Sequence, residues 1–167
     1  ADQVRRSFIM HFETVPTVTA NRVAATLGTQ TSELITLLPS SPAYRVFNED
    51  RPGDEQAGQH RIELDQVGSA DAYFLNIVTG YDAGEAAMAA SLVDNGASWT
   101  LTMTHPVRGQ AVVTLMKGMG STGGSVAIGG APAIPLRSDV QGIQVTRERP
   151  VWDAAFLFRD GFETVAP

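Results

Sequence analysis

Apolar and polar residues alternate with a period of two along most of this chain, the pattern of strands that bury one face. Phe8, Met10 and Phe12 share one face of a first strand over residues 4–13, which Pro16 interrupts. Val23, Ala25 and Leu27 predict a second strand, ended by Gly28. Residues 34–38 form a short, wholly apolar strand stopped by Pro39, and residues 44–47 a possible fourth. Ile62 and Leu64 mark the next. Residues 72–78 are almost continuously apolar and predict a central strand covered on both faces. Asp94-Asn95-Gly96 is a tight-turn signal, because Asn and Gly tolerate positive φ. Trp99, Leu101 and Met103 then share a face. Pro106 and Gly109 mark a turn before a return strand over 111–116. Shorter strands are expected at 125–128 and 143–145.

Turn signals every 8 to 15 residues between such runs predict an all-β, antiparallel β-sandwich of about ten short strands. One stretch, residues 83–92, is rich in Ala and Met and reads as a possible helix, though it is short and has no clean cap. The expected organisation is a sandwich domain over 1–150 and a C-terminal tail over 151–167 with an apolar run at 152–158.

Composition narrows the picture. The 167 residues suit one domain with a real core. Charged residues make up only 18%, and the formal net charge is −6. The basic patch of a nucleic-acid binder is missing: the arginines are scattered and Lys117 is the single lysine. No apolar run approaches the ~20 residues of a membrane-spanning helix. There is no cysteine, which removes disulfides, thiol catalysis and cysteine-held metals. Ala1 opens almost directly into a strand, so the chain reads as the end portion of a longer protein.

Candidate chemistry is sparse. Gly118-Met119-Gly120-Ser121-Thr122-Gly123 matches G-x-G-x-x-G, but the residues after it predict a strand and not the helix whose N-terminus would hold a pyrophosphate. A glycine-rich turn between strands is the expectation. His11, His60 and His105 are too far apart in sequence for a ligand motif, and no cofactor or metal is expected. His11 and Glu13 lie two residues apart on one strand face, where a Glu can orient an imidazole. They form the one acid-base candidate; a hydrogen-bonded structural histidine is the plainer reading. Asn48, Glu49, Asp50, Asp54 and Glu55 make an acidic loop, expected to be solvated, with calcium as the alternative. Trp99 shares parity with core residues and reads as core, while Trp152 is harder to place. No G-x-S-x-G elbow is present.

Several segments, in order, resemble a known family. Arg6-Ser7-Phe8-Ile9-Met10-His11-Phe12 is a basic start followed by apolar residues and a His. Leu34-Ile35-Thr36-Leu37-Leu38-Pro39, His60-Arg61-Ile62-Glu63-Leu64 and Ala72-Tyr73-Phe74-Leu75-Asn76-Ile77-Val78 follow, with Asn76 where that family commonly has His. Together they resemble the C-terminal β-sandwich of the heparinase II/III-like polysaccharide lyases, across roughly residues 6–128. The resemblance implies a non-catalytic sandwich that supports the substrate cleft of a secreted or periplasmic enzyme acting by β-elimination on uronic-acid polysaccharides. It implies as partners a helical catalytic portion of the same parent protein and an acidic polysaccharide. The family's His-rich strand has no match here, so no catalytic residue carries over. The ending Phe156-Leu157-Phe158-Arg159-Asp160-Gly161-Phe162-Glu163 resembles a short terminal motif of exported proteins. The alternative from the residues alone is a stand-alone carbohydrate-binding or adhesive sandwich, which would need two or three coplanar exposed aromatics.

Overall fold

The period-two pattern leads to strands wherever the structure is described. The computed structural model describes residues 5–49, 59–68, 72–118 and 123–136, all within one compact unit, Ala1–Leu136. Among the described residues there are twelve strands and no helix. They are β1 (Arg5–Phe12), β2 (Thr17–Thr19), β3 (Arg22–Leu27), β4 (Gln30–Leu38), β5 (Tyr44–Asn48), β6 (His60–Val67), β7 (Leu75–Asp82), β8 (Ala89–Asp94), β9 (Ser98–His105), β10 (Gly109–Met116), β11 (Gly124–Ile128) and β12 (Ile134–Pro135). The strand expected at 143–145, the apolar run at 152–158 and the boundary at 150 lie outside the described residues.

The strands form three antiparallel sheets. The first has order β1-β6-β5, the second β2-β3-β4-β7, and the third β12-β11-β10-β9-β8. The fold is all-β and sandwich-like. One core lies between the first and second sheets. Phe12 from β1 and Ile62 from β6 meet Val23 and Ala25 of β3 and Leu34 of β4, with Phe8, Met10 and Tyr44 packed around them. The inward residues of β1 are those the alternation predicts.

β4 is covered on both faces. Leu34 at 0% exposure faces the first sheet, and Ile35, on the opposite face by alternation, is 1% exposed. The second sheet is therefore a middle layer along β4. On the Ile35 side the third sheet approaches: Arg22 donates from Nη2 to the Met88 carbonyl at 2.7 Å. Tyr73, just before β7, meets Trp99 of β9 edge-to-face, with ring centroids 4.9 Å apart. Trp99 and Leu101 are buried, as their shared parity predicts.

Turn chemistry sets the hairpins. Gly96 takes φ 78° in the β8–β9 turn. Its N–H donates to Asp94 Oδ1 at 2.8 Å, and Asn95 N donates to the Ser98 carbonyl at 2.9 Å.

Two expectations need correction. Residues 83–92 are not helical. A turn at Asp82, where Glu85 N donates to the Asp82 carbonyl at 3.0 Å and Gly84 takes φ 91°, is followed by β8, paired with β9 from Ala89 to Asp94. Pairing in a sheet outweighs the helix propensity of a short Ala-rich run. Residues 72–78 are not a central strand either. β7 begins at Leu75, pairs only with β4 among the described residues, and leaves Val78 60% exposed. An apolar run does not by itself report position in a sheet; here β4 is the two-sided strand.

Candidate functional site

The middle sheet ends in a cleft, and the strand register fixes what lines it. Thr31 on β4 lies opposite Tyr81 on β7, Gln30 opposite Asp82, and Ser32 opposite Gly80. The β9–β10 turn brings His105 and Arg108 to the same cleft, and the turn after β7 brings Glu85. The cavity is about 640 Å³. Its walls are hydroxyls, an amide, two carboxylates, an imidazole and a guanidinium, a set able to donate and accept hydrogen bonds with a polyhydroxylated ligand.

Two details give the cleft chemical direction, and a third, Glu33, acts on it from outside the lining. His105 Nδ1 accepts from the backbone N–H groups of Val107 and Arg108, each at 3.2 Å. In the neutral ring the proton then sits on Nε2, so the free end of His105 is a donor. Burial pushes the Tyr81 phenol up from its ordinary range, and the charge of Glu33 pushes it further, against an opposing effect of Arg22. Tyr81 therefore stays protonated near neutral pH. Glu33 itself is 3% exposed; its Oε1 accepts from Arg22 Nη1 at 2.8 Å, and its buried Oε2 has no partner among the described residues.

The outer face of the first sheet is the densest charged surface among the described residues. Glu63 takes ion pairs from Arg5, Arg45 and Arg61, and Asp65 from Arg5 and Arg45. Ser7 Oγ donates to Asp65 at 2.6 Å. Phe47 lies under two guanidiniums, 4.4 Å from that of Arg61 and 5.2 Å from that of Arg45. These cations are already held by carboxylates of the same sheet, so the face is a poor anion site. Its role is to tie β1, β6 and β5 together.

The residues singled out by sequence scatter across these features. His11 Nε2 lies 3.3 Å from Glu49 Oε2. The acid beside His11 is thus Glu49, held also by Arg61 at 2.6 Å, and not Glu13. Glu49 is held below the usual carboxylate range, first by the Arg61 hydrogen bond, against an opposing desolvation, with the Arg61 charge and His11 adding to the lowering. This pair belongs to the ionic lattice. Asn48 and Glu49 are described, whereas Asp50, Asp54 and Glu55 lie outside the described residues. His60 is buried at 8% exposure, opposite Phe12 on β1. Among the described residues no cluster of three His, Asp or Glu side chains converges as a metal site. The glycine-rich run leads into β11, a strand, where a dinucleotide site requires a helix; Met119 to Thr122 lie outside the described residues. Trp152 lies there too.

The cleft residues were not legible in advance. Nothing in the sequence pattern marks Thr31, Thr79, Tyr81 or Arg108 as site residues. Pro106 and Gly109 signal that a turn exists, but nothing in the sequence places it beside β7. Asn76, where the resemblance leads one to expect His, accepts from Thr36 Oγ1 at 2.7 Å and so joins β7 to β4. No family model, no curated protein sequence and no solved structure matches this chain.

Proposed function

We propose that this chain is a non-catalytic β-sandwich portion of an exported polysaccharide lyase, supporting a uronic-acid polysaccharide while a helical portion of the parent protein performs β-elimination. The cleft at the end of β4 and β7 is the observation that supports this reading. It is large enough for one or two sugar residues, and polar around its rim, with Tyr81, the Nε2–H of His105 and the Arg108 guanidinium as donors and Asp82 and Glu85 as acceptors. Arg108 is the group suited to a sugar carboxylate, because a guanidinium offers two parallel N–H bonds to it. The order of segments resembling the heparinase II/III-like sandwich supplies the substrate class. An aromatic stacking platform, the feature of a stand-alone carbohydrate-binding module, loses Trp99, which is buried against Tyr73.

Calorimetric titration of the chain with oligouronates, beside an absorbance assay for the unsaturated product, tests this. The expected result is binding without turnover, weakened about tenfold by Arg108→Ala, the loss of one charge-assisted pair. Turnover by the chain alone, or no heat with any uronate, overturns it.

A further inference from the structure

On the face of the middle sheet that meets the first sheet, the register sets Val23 beside Leu34, Ala25 beside Ser32 and Leu27 beside Gln30. Alternation keeps all six on the core side. Burial nevertheless falls away along that row: Val23 and Leu34 are sealed, whereas Leu27 is 54% exposed and Ser32 and Gln30 are exposed too. The two sheets part here, and the opening between them is a cavity of about 370 Å³. Met10 and Phe12 of β1 with Ala25 and Leu27 of β3 give it apolar walls, and Gln30 and Ser32 add an amide and a hydroxyl. Gln30 and Ser32 also line the first cleft, so the two cavities adjoin across the start of β4.

Charge distinguishes the two. The first cleft has Arg108 to meet a carboxylate. Among the described residues lining the second there is no arginine or lysine; its carboxylate, Glu13, is exposed, and its imidazole, His11, is held by Glu49. A second sugar carboxylate set beside Glu13 would meet like charge with no cation to offset it. We propose that the second cavity is a further sugar subsite, taking an uncharged residue that bears a methyl or acetyl group, next to the uronate held by Arg108. This rests on the reading of the first cleft as a uronate site. The apolar group covers Leu27 and Met10, the hydroxyls of the ring reach Gln30 and Ser32, and Glu13 turns away a second uronate. The ligand is then a mixed chain in which acidic and uncharged residues are neighbours, and not a homopolymer of uronate.

Calorimetric titration of the whole chain with two tetrasaccharides tests this: tetragalacturonate, and a chain alternating galacturonate with rhamnose, an uncharged sugar that carries a methyl group. The alternating chain should bind about tenfold more tightly, what burial of a methyl and one added hydrogen bond contribute. Leu27→Asp should bring the two chains to within about threefold of each other by placing a charge where the methyl packs. Glu13→Gln should narrow the gap from the other side, by strengthening tetragalacturonate. Both substitutions fall at exposed positions. Arg108→Ala should weaken both chains alike, because each places a uronate in the first cleft. Equal affinity of the unaltered protein for the two chains overturns the second subsite and leaves the first cleft standing. So does a preference for the alternating chain that neither Leu27→Asp nor Glu13→Gln reduces. Binding of neither chain overturns the uronate reading of the first cleft and the second subsite with it.

Discussion

Glu33 is nearly sealed on β4, and a buried carboxylate is tolerable only if it is paired. Arg22 supplies the pairing and is anchored in turn by the Met88 carbonyl. Removing one member of a buried pair leaves the other desolvated and unpaired. Because Arg22 remains 30% exposed, the usual cost is discounted for solvent screening to about 2–3 kcal/mol. Urea titration should show Arg22→Leu destabilised by that amount. Arg22→Leu with Glu33→Leu should recover most of it, and a double variant as weak as the single would reject the pairing account. Gly124 makes a sharper case. It opens β11 at φ 132°, and an added Cβ would lie 1.9 Å from the Thr114 carbonyl oxygen. Gly96 has φ 78° and open space. Gly124→Ala should therefore cost more than about 3 kcal/mol and Gly96→Ala about 1 kcal/mol, since only the first adds a backbone clash to the conformational strain. Equal losses on denaturation would contradict this. At this scale the sequence is readable where a side chain has one job. Phe8, Met10, Phe12, Ile62, Leu64, Trp99 and Leu101 declare their face by parity. Glu33 does not, because a charged residue in an alternating strand reads as outward unless one knows that both faces are covered.

Strands and turns carry most of what the sequence reveals. Asp94-Asn95-Gly96 and Pro106 to Gly109 mark hairpins by the φ values they permit, and β8–β9 and β9–β10 pair around them. The short β2 has no signal in the sequence, since Pro16 interrupts the strand pattern before it and the two-residue turn is made by Ala20 at φ 51° with Asn21, without glycine. Sheet order is not written locally. β6 lies between β1 and β5, and β4 beside β7, through contacts distant in sequence. The cleft depends on that order, which is why its residues were invisible in advance. The β8–β9 turn yields a pH prediction. Asp94 is held below its ordinary value, first by the Lys117 hydrogen bond, then by the Gly96 N–H, against an opposing desolvation. A depressed folded-state pKa stabilises the protein above the unfolded value, about 3.9 for Asp, and the gain fades as pH falls through the folded value. Asp94→Asn should thus lower the melting temperature at pH 7, and the difference from wild type should narrow steadily as the pH falls through the acid range. A gap that persists in acid would assign the effect to turn shape rather than to charge.

Across the whole compact unit, the middle position of β4 couples the layers. Leu34 fills the core beneath the first sheet, Ile35 is buried on the opposite face, and Arg22 and Tyr73 reach from the second sheet's strands and flank toward Met88 and Trp99. No layer keeps its buried surface if the middle one melts. Unfolding should therefore be a single transition even when the perturbation and the probe sit in different sheets. Trp99 on β9 is such a probe once Trp152 is replaced by Phe, which leaves one tryptophan in the chain. Ile62 on β6 is such a perturbation: it is fully buried and belongs to the cluster between the first and second sheets. Truncating it removes packing on the far side of β4 from Trp99. In the Trp152→Phe background, Ile62→Ala should lower stability by about 2–5 kcal/mol, the range for a large-to-small core substitution. Trp99 fluorescence and far-ultraviolet circular dichroism should report the same denaturation midpoint, displaced equally from the parent. Coincident curves from separate probes are the mark of one cooperative unit. If the fluorescence midpoint stays at the parent value while the dichroism curve moves or splits, the third sheet holds its structure without the first. The coupling through β4 would then be wrong.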